Sequence, residues 1–580
     1  MRRWIWTMVA ALSVACGSTP ERPPEDTEAA APADTVRRPV PGLPPAALSP
    51  GVTPAEMEAK VAQFAPVELG FDASLLDAEQ RIVARKLVEA SRLLDEIFLL
   101  QVWRDNPAYA DKVAAAEGAG MDAARVYYAI MYGPWDRLED DQPFLLVGPK
   151  PPGAGYYPRG ATRAEIESWI EEHPDDREAF TSYYTVIVRT RDGELRAIPY
   201  SEAYADRLKK AAALLREAAD HAGNASLSEF LRERAEAFET NDYLASEIAW
   251  INLEGNLIEP TIGPYEVYED ALMGWKAAFE SFVTIKDPEA SAELEILVSR
   301  LPELEAALPM DEIYKDLDKS FASPLSVVDV IYTAGDTRAG VQTLAFNLPN
   351  DPRITQEHGT KKVMLRNVID AKFEKILAPI GERVLVASLV DDLGARAFTT
   401  FVVMHELAHG LGPRLVHGTD TRVSVALGPA YSAIEEAKAD VVGVLSLAKL
   451  SDDGLYSAEF ERQVYVSSVA SLFRCVRFGT GEAHGKGCAV QMNALLDAGA
   501  LAVDEGGRFA IDFSRIPGAY RDLASRLLAI EATGDAEAAR ALLEAMGSLP
   551  EAGEAALGRL DDVPVDIRPI YTVEETMEGW

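Results

Sequence analysis

The residues of this 580-residue chain best suited to chemistry are His405-Glu406-Leu407-Ala408-His409. On a helix, His405 and His409 at i and i+4 share one face about 6 Å apart, which suits two ligands of one tetrahedral zinc. Glu406 is displaced by one residue from that stripe. Its carboxylate can therefore reach a water at the metal without ligating, and serve as general base and proton shuttle. The chain has only seven His, which makes the spacing informative. The plain alternative is two helix histidines making ordinary hydrogen bonds.

A catalytic zinc takes three protein ligands and keeps one position open. The segment Ser432-Ala433-Ile434-Glu435-Glu436-Ala437-Lys438-Ala439-Asp440 supplies the third. Glu436 is expected to ligate, and Asp440, one helical turn later, to orient a ligand histidine from behind. Glu435 is expected, like Asp440, to stand behind the metal ligands, but it has a competing use, because Ser432 and Glu435 form S-x-x-E, the signature of a helix capping box.

Both motifs need helices to hold them. Ala397 to Gly412 is an apolar helix that stops at glycines, and residues 432–440 form a second helix. Apolar spacing of three and four predicts further helices over Ala55–Phe64, Ala78–Trp103, Ala164–Glu172, Glu202–His221 and Leu227–Glu239. Two alternating runs, Tyr183–Thr190 and Glu194–Tyr200, flank Arg191-Asp192-Gly193 and predict a hairpin. Further strands are expected at Ser326–Tyr332, Val341–Leu348, Leu501–Phe513 and Val563–Val573. The fold class is α+β, mainly helical, with a small sheet or barrel assembled from distant segments. No fixed-period repeat points to a solenoid.

Length calls for two lobes or domains rather than one small core. An apolar fraction of 48% and a charged fraction of 26% are those of a soluble globular protein. A formal net charge of −37 argues against sequence-independent binding to nucleic acid, which needs clustered Lys and Arg.

The N-terminus adds a location. Met1-Arg2-Arg3 and the apolar run Trp4 to Ala15 have the make-up of an export signal too short to span a bilayer. Leu12-Ser13-Val14-Ala15-Cys16 resembles a bacterial lipobox, so Cys16 is expected to become the lipidated N-terminus; the alternative is an ordinary cleaved signal with an incidental Cys. The Pro- and Ala-rich residues 16–53 read as a disordered tether, with the folded body starting near Pro54. The membrane is met only through the lipid, and Gly17 beside Cys16 tilts the expectation to the outer membrane, on its periplasmic face or the cell surface. Cys475 and Cys488 could pair in an oxidising periplasm.

Beyond the zinc motifs, the chain resembles the dipeptidyl peptidase III family, zinc exopeptidases that release dipeptides from peptide N-termini. The resemblance is carried by Asn347-Leu348-Pro349-Asn350-Asp351, Gly359-Thr360-Lys361-Lys362-Val363 with Asn367-Val368, the Glu435 to Asp440 segment, and Glu482-Ala483-His484 leading into Leu495 to Gly499. It implies that His484 stabilises the oxyanion, that Glu266 and Tyr268 of Glu266-Val267-Tyr268 hold the substrate amine and polarise its carbonyl, and that Asn347 and Asn350 bond the peptide backbone. It implies one zinc per chain, oligopeptide substrates, and two lobes around a wide cleft: a helical zinc lobe over 376–545, and a lobe with a small β-barrel over 54–375, rejoined by 546–580. The chain departs from the family in having one residue fewer between the histidines, a trimmed stretch around Pro413 to Gly428, and Cys488 where a basic residue is expected. Two other functions stay open from sequence: a zinc hydrolase of a non-peptide amide or ester, and a peptide-binding surface lipoprotein without catalysis, against which the intact Glu406 argues.

Overall fold

The computed structural model describes residues 42–317 and 325–580. The expected signal segment and Cys16 lie outside the described residues. Residues 42–53, the end of the expected tether, run along the folded body: Leu48 bridges to Leu145, and the Ser49 amide donates to the Phe144 carbonyl at 3.0 Å. Among the described residues no helix is long and apolar enough to cross a membrane.

One lobe is organised on a five-stranded mixed sheet. Its strands are β1 (Ile258–Glu266), β2 (Ala278–Lys286), β3 (Leu325–Gly335), β4 (Ala345–Leu348) and β5 (Lys361–Leu365), in the order β1-β2-β3-β5-β4. The β3/β5 pair is parallel and the other neighbours are antiparallel. The sheet is open, with β1 and β4 as edges, so the barrel implied by the resemblance is here a sheet that does not close. Helix α1 (Ala78–Val102) packs across β2 and β3, where the Ser91 and Ser281 hydroxyls share a hydrogen bond of 2.7 Å. It starts where a sequence rule says it should: Asp77 and Gln80 form a reciprocal capping box, at 2.8 and 2.9 Å.

Strands β1 and β2 were not foreseen, and β1 shows why. It reads Ile-Glu-Pro-Thr-Ile-Gly-Pro-Tyr-Glu, rich in residues that are depleted from strands. Its edge position tolerates Pro260 and Pro264, whose nitrogens can donate to no ladder. Glu259 is buried there because Lys361 and Lys286 neutralise it. Elsewhere the sequence patterns shorten rather than fail. The hairpin forms over Thr185–Arg189 and Leu195–Pro199, Val341–Leu348 contracts to β4, and Leu501–Phe513 folds into the short pair Leu501–Val503 and Phe509–Ile511. The strand Asp566–Tyr571 pairs in parallel with Phe64–Leu69, which is why the first expected helix ends at Ala62.

The second lobe is a helical bundle. Its members are α2 (Pro288–Ala307), α3 (Ala395–Ala408), α4 (Tyr431–Asp452), α5 (Ala458–Val476), α6 (Ala483–Asp497) and α7 (Ile516–Thr533). Helix α4 lies at the centre, packed on α3, α5, α6 and α7. Gly443 permits the close approach of α3 and α4, since a Cβ there would stand 3.3 Å from the His405 nitrogen. Helix α2, which follows β2 in sequence, lies between the lobes, against β3 and α3, with Arg300 paired to Asp453 at 2.7 Å and Glu305 accepting from the Gly412 amide at 2.9 Å.

Candidate metal centre and active site

Helix α3 buries Phe398, Phe401, Met404 and Ala408 in the bundle and ends at the two histidines. His405 lies in its last turn. His409 caps it, its amide donating to the His405 carbonyl at 3.2 Å, and Gly412 at φ +84° then turns the chain away. The helix end is further tied to α4 by Lys438, whose buried ammonium donates to the Ala408 and Leu411 carbonyls at 3.1 and 3.0 Å. Lys438 thus serves the carbonyls that a helix C-terminus leaves unpaired.

The back of each imidazole is fixed by a carboxylate. His405 Nδ1 stands 2.7 Å from Asp440 Oδ1, and Gln491 of α6 donates to the other Asp440 oxygen at 2.8 Å. His409 Nδ1 stands 2.8 Å from Glu435 Oε1, which also accepts from Lys438 at 2.8 Å. Such partners set tautomer and ring orientation and direct Nε2 to a metal. The capping box suggested for Ser432 and Glu435 is not used: α4 begins at Tyr431, and Glu435 is spent on His409 and Lys438.

In front of the imidazoles, one donor atom from each of His405, His409 and Glu436 lies within 4.8 Å of the others. Glu436 Oε2 is buried and accepts no hydrogen bond, although Nε2 of His405, His409 and His484 stand 3.5, 4.0 and 3.2 Å from it. A buried carboxylate oxygen left without a donor is costly. Two imidazoles and a carboxylate are also the donor set of a catalytic zinc, so these residues fit one. Burial opposes ionisation of Glu436, but the histidines around it hold its carboxyl down at about 2.

Glu406 faces the other lobe. Lys362 of β5 donates to its Oε2 at 2.9 Å and to its carbonyl at 3.2 Å. Burial would raise the Glu406 carboxyl, yet Lys362 and the neighbouring histidines outweigh it and keep the group below the usual carboxylate range. On the sheet, Lys362 is the register partner of Asn347 on edge strand β4, so the two side chains share one face. Three residues further on, Asn350 hydrogen-bonds Glu266 at the end of β1, and its amide donates to the Tyr265 carbonyl at 3.4 Å. Burial pushes Glu266 upward; it does the same to nearby Asp336, which reaches about 7, and to Glu280. Tyr268, just past β1, is 55% exposed and lies within electrostatic range of these three carboxylates.

The structure therefore gathers the sequence-selected residues into two groups. His405, Glu406, His409, Glu435, Glu436, Asp440 and His484 form one; Glu266, Asn350 and Tyr268 form the other, with Asn347 on the strand between them. Lys362, Lys438 and Gln491 were not given roles from sequence. Lys362 stood inside a family-like segment, but nothing local indicates that its partner is 44 residues away.

Residues 190–425 match Peptidase family M49. The structure superposes on that of DPP III from Caldithrix abyssi with a TM-score of 0.86 and 46% identity, covering 90% of this chain and 100% of that one. The chain belongs to peptidase family M49. A second structure, dipeptidyl-peptidase III from Corallococcus sp. strain EGB, gives a TM-score of 0.74 and 40% identity over 91% of this chain and 99% of the other. Nudix hydrolase 3 of Arabidopsis thaliana is 35% identical over 577 residues, 90% of this chain and 74% of the plant protein. As an M49 member this chain is a metallopeptidase, and His405, His409 and Glu436 are the residues that would hold its zinc.

Proposed function

We propose that this M49 peptidase releases dipeptides from the free N-termini of oligopeptides, and that it works in the cell envelope, anchored through lipid on Cys16. The observation that supports the dipeptide length is the short run of chain from the group around Glu266 to the β4 position opposite Lys362. Asn350, bonded to Glu266, and Asn347, the register partner of the Lys362 that donates to Glu406, are three residues apart, at most about 10 Å of chain. Two extended substrate residues and the scissile bond occupy about that length. Glu266, pushed up by burial, is suited to a cationic amine that restores its charge.

Substrate adds as a strand along the β4 edge, with Asn347 on its backbone and Glu266 and Asn350 on its amine. Bound zinc supplies Lewis acidity at the scissile carbonyl. Glu406 takes a proton from the attacking water and delivers it to the departing amine. Lys362 keeps that carboxylate ionised and in place. His484 and Tyr268 donate to the carbonyl oxygen as it gains charge.

The test is cleavage of free-amine dipeptidyl-arylamides by the chain from residue 42, with chelator and with zinc restored. Chelator-sensitive dipeptide release, lost when the substrate amine is acetylated, is the expected result. Zinc at one per chain with no dipeptide release moves the reading to a non-peptide amide or ester. For the anchor, Cys16→Ser is expected to shift the protein from membrane to soluble fractions; an unchanged distribution refutes it.

A further inference from the structure

Helix α6 carries His484 in its first turn, and that turn has little to hold it. Glu482 at the N-cap makes no side-chain cap, and the His484 side chain is 60% exposed. The first turn of a helix has unpaired amides and frays when uncapped. Yet His484 Nε2 is held 3.2 Å from Glu436 Oε2.

Three features compensate. Gly485 lies flat on the Gly479 carbonyl, where a Cβ would come to 1.9 Å. Gly487 lies on the backbone of α4 beside the metal ligand, where a Cβ would stand 3.1 Å from the Ala437 nitrogen and 3.2 Å from the Ala433 oxygen. Both contacts are only surfaces; neither prevents the turn from lifting away. The third feature is covalent. Cys488, one turn after His484 on the same stripe of α6, is joined by a disulfide to Cys475 near the end of α5. Beyond it, Gln491 reaches the Asp440 carboxylate behind His405.

We infer that the Cys475–Cys488 disulfide is a positioning device for His484, tying the start of α6 to α5 so that its first turn stays seated on α4. It rests on the peptidase reading, in which His484 acts on the substrate. The two cysteines are 13 residues apart, so the bond closes a short loop and acts locally on Arg477 to Gly487. Cys488 is buried and Cys475 only partly, which leaves one sulfur for an external reductant. Reduction converts the disulfide and a dithiol reductant to two thiols and the oxidised reductant, and frees the turn.

The experiment compares the zinc-loaded mature chain with Cys475→Ser/Cys488→Ser, with His484→Ala, and with the triple variant. Kinetics use a dipeptidyl-arylamide; amide exchange of residues 480–488 is followed by mass spectrometry. The serine pair is expected to keep one zinc per chain, to exchange faster in that segment, and to lose about tenfold in kcat with KM within twofold. In the His484→Ala background the same serines are expected to cost nothing further, because a device acting through His484 has nothing left to position. If the serine pair does not fold, the folded chain is reduced with a phosphine under excess zinc and reoxidised, and kcat is expected to fall and return. Two free thiols in the purified chain, an unchanged kcat in the serine pair, or equal serine losses with and without His484 each overturn the inference alone. Absence of turnover in every sample overturns it together with the peptidase reading.

Discussion

Lys362 and Glu406 form an ion pair, Nζ to Oε2 at 2.9 Å, that joins β5 of the sheet lobe to α3 of the helical lobe. The same ammonium also donates to the Glu406 carbonyl, so the carboxylate is held at both ends of its residue. Lys362→Met removes the counter-charge from a half-buried base and frees its rotamer. We expect kcat to fall about tenfold, the scale of one lost charge-assisted hydrogen bond. Bound zinc should stay at one per chain, and Lys362→Arg should recover much of the loss. Steady-state kinetics with metal analysis checks this; a Met variant with wild-type kcat refutes it.

Asp440 is not among the residues that would hold zinc, yet it sets the ring of His405 from 2.7 Å. Asp440→Asn keeps the shape and removes the charge, and we expect zinc affinity to weaken about 10- to 100-fold, as for other such partners. Competition with a chelator of known affinity measures it. Gln491→Leu, which removes only the donor to Asp440, should move affinity the same way and less. Glu406→Gln is the opposite case: zinc affinity nearly unchanged, with kcat down by a factor of about 10² to 10⁴.

How much of this was visible in the chain follows from distance along it. His405, Glu406 and His409, and again Glu435, Glu436 and Asp440, declare themselves because helical spacing converts sequence separation directly into a shared face. The helix α1 was legible for the same reason. The roles of Lys362 and Gln491 were not, and Cys475 and Cys488 were legible only as two thiols that could pair, since each contact depends on where two elements meet. Strand β1 was hidden differently: Glu259 and Pro260 argue against a strand until one knows that Lys361 neutralises the first and a sheet edge excuses the second.

Acid stability should depend on Glu269. It is buried, which raises its carboxyl, but Arg137 at 2.9 Å and Lys150 at 2.8 Å prevail and hold it at about 2. A carboxyl depressed in the folded state contributes stability that is complete above its ordinary value near 4.5 and is lost as pH falls from there toward 2. The depression corresponds to on the order of 3 kcal/mol. Glu269→Gln should therefore be less stable than wild type above pH about 5, with the two unfolding curves converging toward pH 2. Chemical denaturation across that range checks it, and a constant gap at all pH values refutes it.

Arg234 and Glu247 are both fully buried, paired at 2.7 Å beneath the end of β1. The guanidinium is packed among Phe230, Tyr243 and Tyr265, with centroids 5.5, 5.5 and 5.6 Å away. Gly263 makes room for it, since a Cβ there would stand 2.1 Å from Nη1. Arg234→Met keeps most of the volume but strands the Glu247 carboxyl, which burial already pushes upward. Breaking one partner of such a pair costs about 3–5 kcal/mol, so thermal unfolding should come several degrees earlier. Replacing both, as Arg234→Met/Glu247→Leu, should restore part of that loss, because no buried charge is left unpaired. The pair also supports function. Tyr265 precedes Glu266, so loosening its ring moves the proposed amine contact, and KM for a free-amine dipeptidyl-arylamide should rise more than kcat falls. A variant with lowered thermal stability and unchanged KM would confine Arg234 to the core.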